Sequence, residues 1–467
     1  VGFRTVLGGP AEERSIVRVV YFILAAAMAG LSAPAHAETL TDALALAYQT
    51  NPTIRAERAR LRAIRESKAQ AWAGALPQVS AQGSYQKVDQ TVTSLFNVDP
   101  NDPNPMPQSQ DTNFEPLTGA VNAEQAIFTG FRNYNAIKQA GARVRAGGAQ
   151  LAGAEQQVLL DVASAYFNVQ RNMAVFELNK NNVTVLVRQQ DMAKARFDVG
   201  EITRTDVSQA DARLAEARAR LSSAQGELAI ARAQYGELVG QVPGDLEPVE
   251  TLPELPDTLE GALAIAAQYA PANIAAREQA EVSRRQVNIA RGAFLPSVSV
   301  TAGYQYAEEP SFFVNNSEEF SFGARASMPI FLGGLNFSRV REAKALHDSD
   351  RSQAVAAARQ VEARTIAAWE RLVAARAVAR SAAASVEANT MALEGVRQEA
   401  QVGTRTTLDV LNAEQEYLNA QVTLVSAQRD MQTAAFGLLA AIGMLTPEGA
   451  GVSNEALEAA AGEFYEE

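Results

Sequence analysis

From Ser297 to Tyr306 the chain alternates strictly. Val298, Val300, Ala302, Tyr304 and Tyr306 fall on one side, and Ser297, Ser299, Thr301, Gly303 and Gln305 on the other. From Phe320 to Ile330 it alternates again, with Phe320, Phe322, Ala324, Ala326, Met328 and Ile330 opposite Ser321, Gly323, Arg325 and Ser327. A two-residue period predicts strands with one apolar face. Each run has about the 9 to 11 residues that a strand needs to cross an outer-membrane-type bilayer. Weaker runs near 78–92 and 115–128 predict two further strands, on which Asn122 and Glu124 fall on the polar side, as Arg325 does in the later run.

Between the strand runs the period is helical. No proline interrupts residues 131–197, which as helix would extend on the order of 100 Å at 1.5 Å per residue. After Gly200 a seven-residue repeat runs through Val207, Leu214, Leu221, Leu228 and Tyr235, interleaved with Ala210, Ala217, Ala224, Ala231 and Leu238. After Gly403 it returns as Val410, Tyr417, Leu424, Met431 and Leu438, interleaved with Ala413, Ala420, Ala427, Ala434 and Ala441. Such a repeat specifies supercoiling against a neighbouring helix, and alanine along the seam lets the axes approach closely. Helices of this length exceed any compact domain, so function is expected from what the assembled shape encloses.

The chain reads as one unit written twice. TLTDALALAYQTNP at 39–52 matches TLEGALAIAAQYAP at 258–271, and the same offset carries Leu76-Pro77 onto Leu295-Pro296 and Tyr85-Gln86 onto Tyr304-Gln305. A shorter offset relates Ile127-Phe128 to Ile330-Phe331, Gly200 to Gly403, Asp206 to Asp409 and Gly240 to Gly443. The difference lies between Gln86 and Ile127, where the Pro and Asn content of 97–113 predicts an exposed loop. The expected divisions are a leader over 1–37, a first repeat over 38–240, a Pro-rich linker over 241–257, a second repeat over 258–446 and an acidic tail over 447–467.

Composition narrows the function classes. Arg14 and Arg18 precede the apolar run Val19–Leu31, and Ala35-His36-Ala37 offers small residues for cleavage, the pattern of a secretory signal. No later run reaches about 18 apolar residues, so a membrane span must be made of strands. An open sheet would leave its edge amides and carbonyls unpaired in lipid, and four strands are too few to close where the smallest common membrane barrels have about eight. A membrane reading therefore requires several chains to share one barrel. The competing reading is a periplasmic coiled-coil scaffold or spacer whose strands stay in water.

The chain has no cysteine, which excludes disulfides, thiolate metal sites, a cysteine nucleophile and the usual acceptor for an acyl anchor. A formal charge of -12 argues against nucleic acid as a partner. Outside the leader the one histidine is His347, in a helical stretch with no phosphate loop or nucleophile elbow nearby. Neither catalysis nor a cofactor or metal is expected.

Four segments in this order, each duplicated or nearly so, resemble the TolC-like outer-membrane factor family. They are the Thr-Leu-x-x-Ala-Leu-x-x-Ala start at Thr39, the Leu-Pro-x-Val-Ser junctions at Leu76 and Leu295, Pro329-Ile330-Phe331-Leu332-Gly333-Gly334, and VGTRTTLDVLNAEQEYLNA from Val402. The resemblance covers essentially the whole mature chain. It implies an α+β membrane protein. Three chains would share a 12-stranded outer-membrane β-barrel that continues into a 12-helix periplasmic α-barrel, with two internal repeats per chain. It further implies an export duct rather than an enzyme, with a homotrimer, a periplasmic adaptor (membrane fusion) protein, an inner-membrane pump of ABC or RND type and outer-membrane lipid as partners.

By that resemblance Val199, Gly200, Val402 and Gly403 are the tip turns that meet the adaptor. Arg405, Asp409 and Asp206 match the basic and acidic members of the periplasmic gate. Asn412 stands where relatives often carry a second acidic ring, and Ala400 where they carry a tyrosine, which implies a less negative and less tightly latched constriction. Physics allows the same assignment: an Asp repeated around a symmetry axis concentrates negative field in a narrow passage, and an Arg can bridge carboxylates. Asp206 and Asp409 equally fit helix caps, and both roles can hold. Asn122, Glu124 and Arg325 are the residues expected to line the barrel lumen.

Overall fold

The structure, a computed structural model, describes residues 37–96, 106–249, 252–311 and 313–449. The first half runs α1 (Leu40–Thr50), α2 (Pro52–Ala73), β1 (Gln78–Tyr85), β2 (Val88–Phe96), β3 (Met106–Phe114), β4 (Leu117–Phe128), α3 (Arg132–Asp198) and α4 (Arg204–Val239). The second runs α5 (Leu259–Tyr269), α6 (Pro271–Gly292), β5 (Ser297–Ser311), β6 (Val314–Ser327), α7 (Leu335–Gln401) and α8 (Thr407–Ile442). Apart from boundary residues, the leader over 1–37 and the acidic tail from Pro447 lie outside the described residues.

The helices α3 and α7 are each 67 residues long, and α4 and α8 are each 36. Each long helix turns back through a glycine with positive φ, +80° at Gly200 and +83° at Gly403, a conformation that a side chain at Cβ disfavours. There the Gly200 and Glu201 amides donate to Phe197 O and Arg196 O at 2.9 Å, and the Thr404 amide donates to Glu399 O at 3.0 Å. These bonds satisfy carbonyls that would otherwise end the helix unpaired. Along the returning helices the seven-residue seam is the inner side: Ala210, Leu214, Ala217, Ala224, Leu228, Ala231 and Tyr235 are buried, as are Val410, Ala420, Ala427 and Leu438.

The main core gathers where the short helices α1 and α5 lie against the long ones, around Leu44, Leu159, Tyr166, Phe167, Tyr235, Phe436 and Leu438. The connector between the halves joins this core. Leu246 is buried, Val249, Leu252 and Leu255 pack against it, and Leu246 bridges to Glu38 in parallel. The Tyr166 hydroxyl lies 2.8 Å from Glu38 O and 2.7 Å from Glu247 O, and Tyr235 donates to Glu38 Oε1 at 2.6 Å.

The strands form a four-stranded antiparallel sheet in the order β1-β4-β5-β6 and a two-stranded sheet of β2 and β3. This corrects one expectation: part of the 97–113 loop is strand, since β3 pairs with β2 from Val88↔Phe114 to Phe96↔Met106. Its polar composition suits a hairpin wet on both faces, where rungs are tied by Thr91 Oγ1 donating to Asp111 Oδ1 at 2.7 Å and Thr112 Oγ1 to Gln90 O at 3.1 Å. The run near 78–92 is likewise two strands, interrupted at Gln86-Lys87. The last strand stops at Ser327 rather than Ile330, ahead of Pro329, which has no amide to donate.

Sheet and helices meet at one tight crossing. A Cβ on Gly292, at the end of α6, would stand 2.4 Å from Gly130 O, in the turn between β4 and α3. Only two glycines allow the backbones to approach so closely.

Candidate functional site: the hairpin tips and the polar face of the sheet

Both return helices begin with a capping box, which fixes what the two candidate gate aspartates do locally. Asp206 Oδ2 accepts from the Thr203 amide at 2.9 Å and from its hydroxyl at 2.7 Å. Asp409 Oδ2 accepts from the Thr406 amide at 2.9 Å and its hydroxyl at 2.8 Å. These bonds favour the charged form, so both carboxyls titrate below the ordinary aspartate range. The Thr203 side chain is the largest cause at Asp206 and the Thr406 backbone amide at Asp409.

Arg405 does not pair with Asp409. Its Nε donates to Glu399 Oε2 at 2.7 Å, within the same hairpin, and that carboxylate is the main reason its guanidinium is held still more firmly protonated. Asn412, by contrast, reaches across to the first hairpin: its Oδ1 accepts from Arg213 Nη2 at 2.9 Å. The turn residues Val199 and Val402 are 72% and 76% exposed, presenting apolar tips to solvent.

Two tip residues escaped the sequence reading. Glu414 is a buried acidic residue, and Arg397 holds it, with Nη2 at 2.5 Å from Oε1. Arg213 is the other. Glu414 follows the seam residue Ala413, and a charge flanking a coiled-coil seam is the signal that could have marked it.

At the opposite end the register sorts the sheet into two chemically distinct faces. Glu124 pairs with Gln78 and Thr301, Asn122 with Ser80 and Gly303, and Arg325 with Ser299. Cross-strand partners share a face, so Asn122, Glu124 and Arg325 stand together on the polar one. The other face carries Val79, Val121, Tyr304, Phe320 and Phe322, all exposed. Exposed apolar rows on such long strands mark a surface made for lipid or another chain. Among the described residues β1 and β6 each have one unpaired edge, no helix is long and apolar enough to cross a membrane, and no His, Cys, Asp and Glu group could hold a metal ion.

A sheet apolar on one face, standing on paired helical hairpins on the order of 100 Å long, defines the class of outer-membrane ducts. The chain belongs to the outer membrane efflux protein family, which it matches over residues 43–241 and 264–444. It is 31% identical over 416 residues to the outer membrane efflux protein BepC of Brucella suis biovar 1 (strain 1330), covering 89% of this chain and 87% of BepC. It is 25% identical over 440 residues to the outer membrane protein TolC of Vibrio cholerae serotype O1, covering 92% and 96%. The crystal structure of the outer membrane protein VceC from Vibrio cholerae shares the fold, with a TM-score of 0.71 at 24% identity over 86% of this chain and 96% of VceC. The chain is thus an outer-membrane protein that extends into the periplasm, in a family of channels.

Proposed function

We propose that this chain is one third of a passive export duct. Three copies pool their four-stranded sheets into one twelve-stranded barrel, and their four long helices each into a twelve-helix tunnel. One observation carries the reading: among the described residues, the sheet has a lipid-compatible face, a polar face and two unpaired edges. In hydrocarbon those edges have no water to bond, so each must find a strand of another copy. The polar face, with Asn122, Glu124 and Arg325, then turns to the lumen.

The equal lengths of α3 and α7, and of α4 and α8, support reading 38–240 and 258–446 as a duplicated unit joined by 241–257. Asp206, Arg405, Asp409 and Asn412 form the periplasmic constriction, with Asp409 repeated around the axis as a cation-favouring ring. The capping geometry is compatible with that role because it keeps the carboxylate ionised. The exposed turns Val199-Gly200 and Val402-Gly403 meet a periplasmic adaptor, and through it an inner-membrane transporter of ABC or RND type supplies the energy for efflux or one-step protein secretion. The duct is tested by inserting purified protein into planar lipid bilayers. Discrete, cation-preferring conductance steps are expected, and protein that yields none refutes the reading.

A further inference from the structure

Charge is not spread evenly along the helices. The turns nearest the sheet, residues 62–73, 132–146, 281–292 and 335–346, hold thirteen Lys and Arg against three acids. At the far end, residues 186–217 and 390–420 hold seven against eleven. A chain of formal charge -12 therefore carries an excess of ten positive charges directly under its sheet. Little of that excess is neutralised within the chain. Glu281 pairs with Arg284 and Arg285, and Glu278 with Arg145. Among the described residues Arg291, Arg339, Arg341 and Lys344 have no ion pair.

The cations share helix faces with exposed aromatic rings, in a fixed order. On α3 Tyr134 lies nearer the sheet, Lys138 follows one turn below with its Nζ 5.7 Å over the Tyr134 ring, and Arg145 lies on the same face further down. On α7 Phe337 comes first, and Arg341 and Lys344 follow at spacings of four and seven. Tyr134 and Phe337 are exposed, as are Trp72 near the end of α2 and Phe131 before α3. Exposed rings gain nothing in a water-filled lumen, whereas at a membrane surface they sit among headgroups, with cations beside them meeting phosphate. The depth agrees. Lys138 and Arg341 each lie six residues into their helices, about 9 Å at 1.5 Å per residue. Side chains that snorkel from there reach a headgroup layer about 5–8 Å deep.

We propose that these residues form a basic collar that docks the anionic headgroups of phospholipid on the periplasmic side of the outer membrane. The inference rests on the duct reading, which sets the sheet in lipid. Between α6 and α7 the same level holds a groove of about 400 Å³, lined by Arg132 and Arg339 together with Ile289, Ala290 and Leu346, beside Glu342. Arg132 spends its Nε on Thr129 O at 2.9 Å, so the outer nitrogens of its fork stay available for a phosphate. The groove thus offers guanidinium forks from two helices to one headgroup, and its apolar wall suits the glycerol backbone. Attraction on one side of the bilayer also fixes how deep the duct sits.

The test places the full chain in nanodiscs of phosphatidylcholine with a minority of phosphatidylglycerol, and counts by mass spectrometry the lipid retained on transfer to mild detergent. Retained lipid is expected to be enriched in phosphatidylglycerol, with the enrichment falling as salt rises. Lys138→Gln and the double variant R341Q/K344Q lower it about fivefold per charge removed. R188Q/R204Q removes two exposed charges at the far end of the helices and leaves the enrichment at the wild-type level. Conductance in planar bilayers checks that each variant still inserts. Retention of the two lipids in proportion to their supply, or enrichment that the collar variants keep, overturns the collar, and protein that still conducts leaves the duct standing. Displacement of the lipid by millimolar inorganic phosphate also overturns it, because the residues would then be binding a free anion. A wild-type protein without conductance removes both.

Discussion

Gly292→Ala perturbs the junction where the sheet hands over to the helices. The added methyl would stand 2.4 Å from Gly130 O and 2.8 Å from Arg132 Cγ, whereas non-bonded carbon contacts settle near 3.5 to 4 Å. The backbones must therefore part by about 1 Å. Little there can give. Gly130 and Phe131 are consecutive residues with φ of +61° and +62°, and Phe131 O accepts from Asn135 Nδ2 at 3.0 Å. On the other side α6 is tied to α3 by Gln139 Nε2 donating to Val282 O at 3.1 Å. Overpacking of this kind costs about 1–3 kcal/mol. Gly226→Ala supplies the control, since nothing lies within 4 Å of its Cβ position inside α4. There the same methyl should stabilise by about 0.5–1 kcal/mol through helix propensity. Urea unfolding in detergent, followed by helical circular dichroism, is expected to move the two midpoints in opposite directions at equal slope. A Gly292→Ala midpoint at or above wild type would refute the reasoning.

Other substitutions probe the tip and the core. Arg397→Ala leaves the Glu414 carboxylate buried without its partner, at a cost of about 2–3 kcal/mol after allowing for the partly exposed arginine. Amide hydrogen exchange should accelerate in the first turns of α8 and not in α3, and unchanged exchange would contradict it. Asp409→Asn keeps an acceptor for the Thr406 amide but removes the charge, so folding should hold while cation preference and block by multivalent cations decline; unaltered ion selectivity would sink the ring. Burial pushes the Tyr166 and Tyr235 hydroxyls upward from the ordinary phenol range. A raised folded-state value favours the neutral form, so this stability is complete below about pH 10 and lost as pH climbs above it. Tyr235→Phe should flatten the alkaline decline, and a curve identical to wild type would count against it.

What was legible in the sequence depended on how many constraints each residue obeys. The seam residues Leu214, Ala217, Leu228 and Tyr235 answer to one geometry, a helix against a helix, and their period survives in the pattern. Val298 to Tyr304 answers to the one-sided wetting of the sheet. The strand β3 obeys neither, because a hairpin exposed on both faces needs no alternation and its Pro and Asn content resembles a loop. Ion-pair partners were hidden for another reason. Arg405 lies close to both Asp409 and Glu399 in sequence, and only the turn at Gly403, which folds Glu399 back beside Arg405, decides between them. Arg213 and Asn412 belong to different hairpins, so no local spacing could join them.

The account depends most on copies pooling their strands, and native mass spectrometry of the detergent-extracted protein tests that most directly. It predicts a single dominant complex of three chains. A dominant species of one or two chains would contradict it, since neither carries enough strands to close the twelve-stranded barrel.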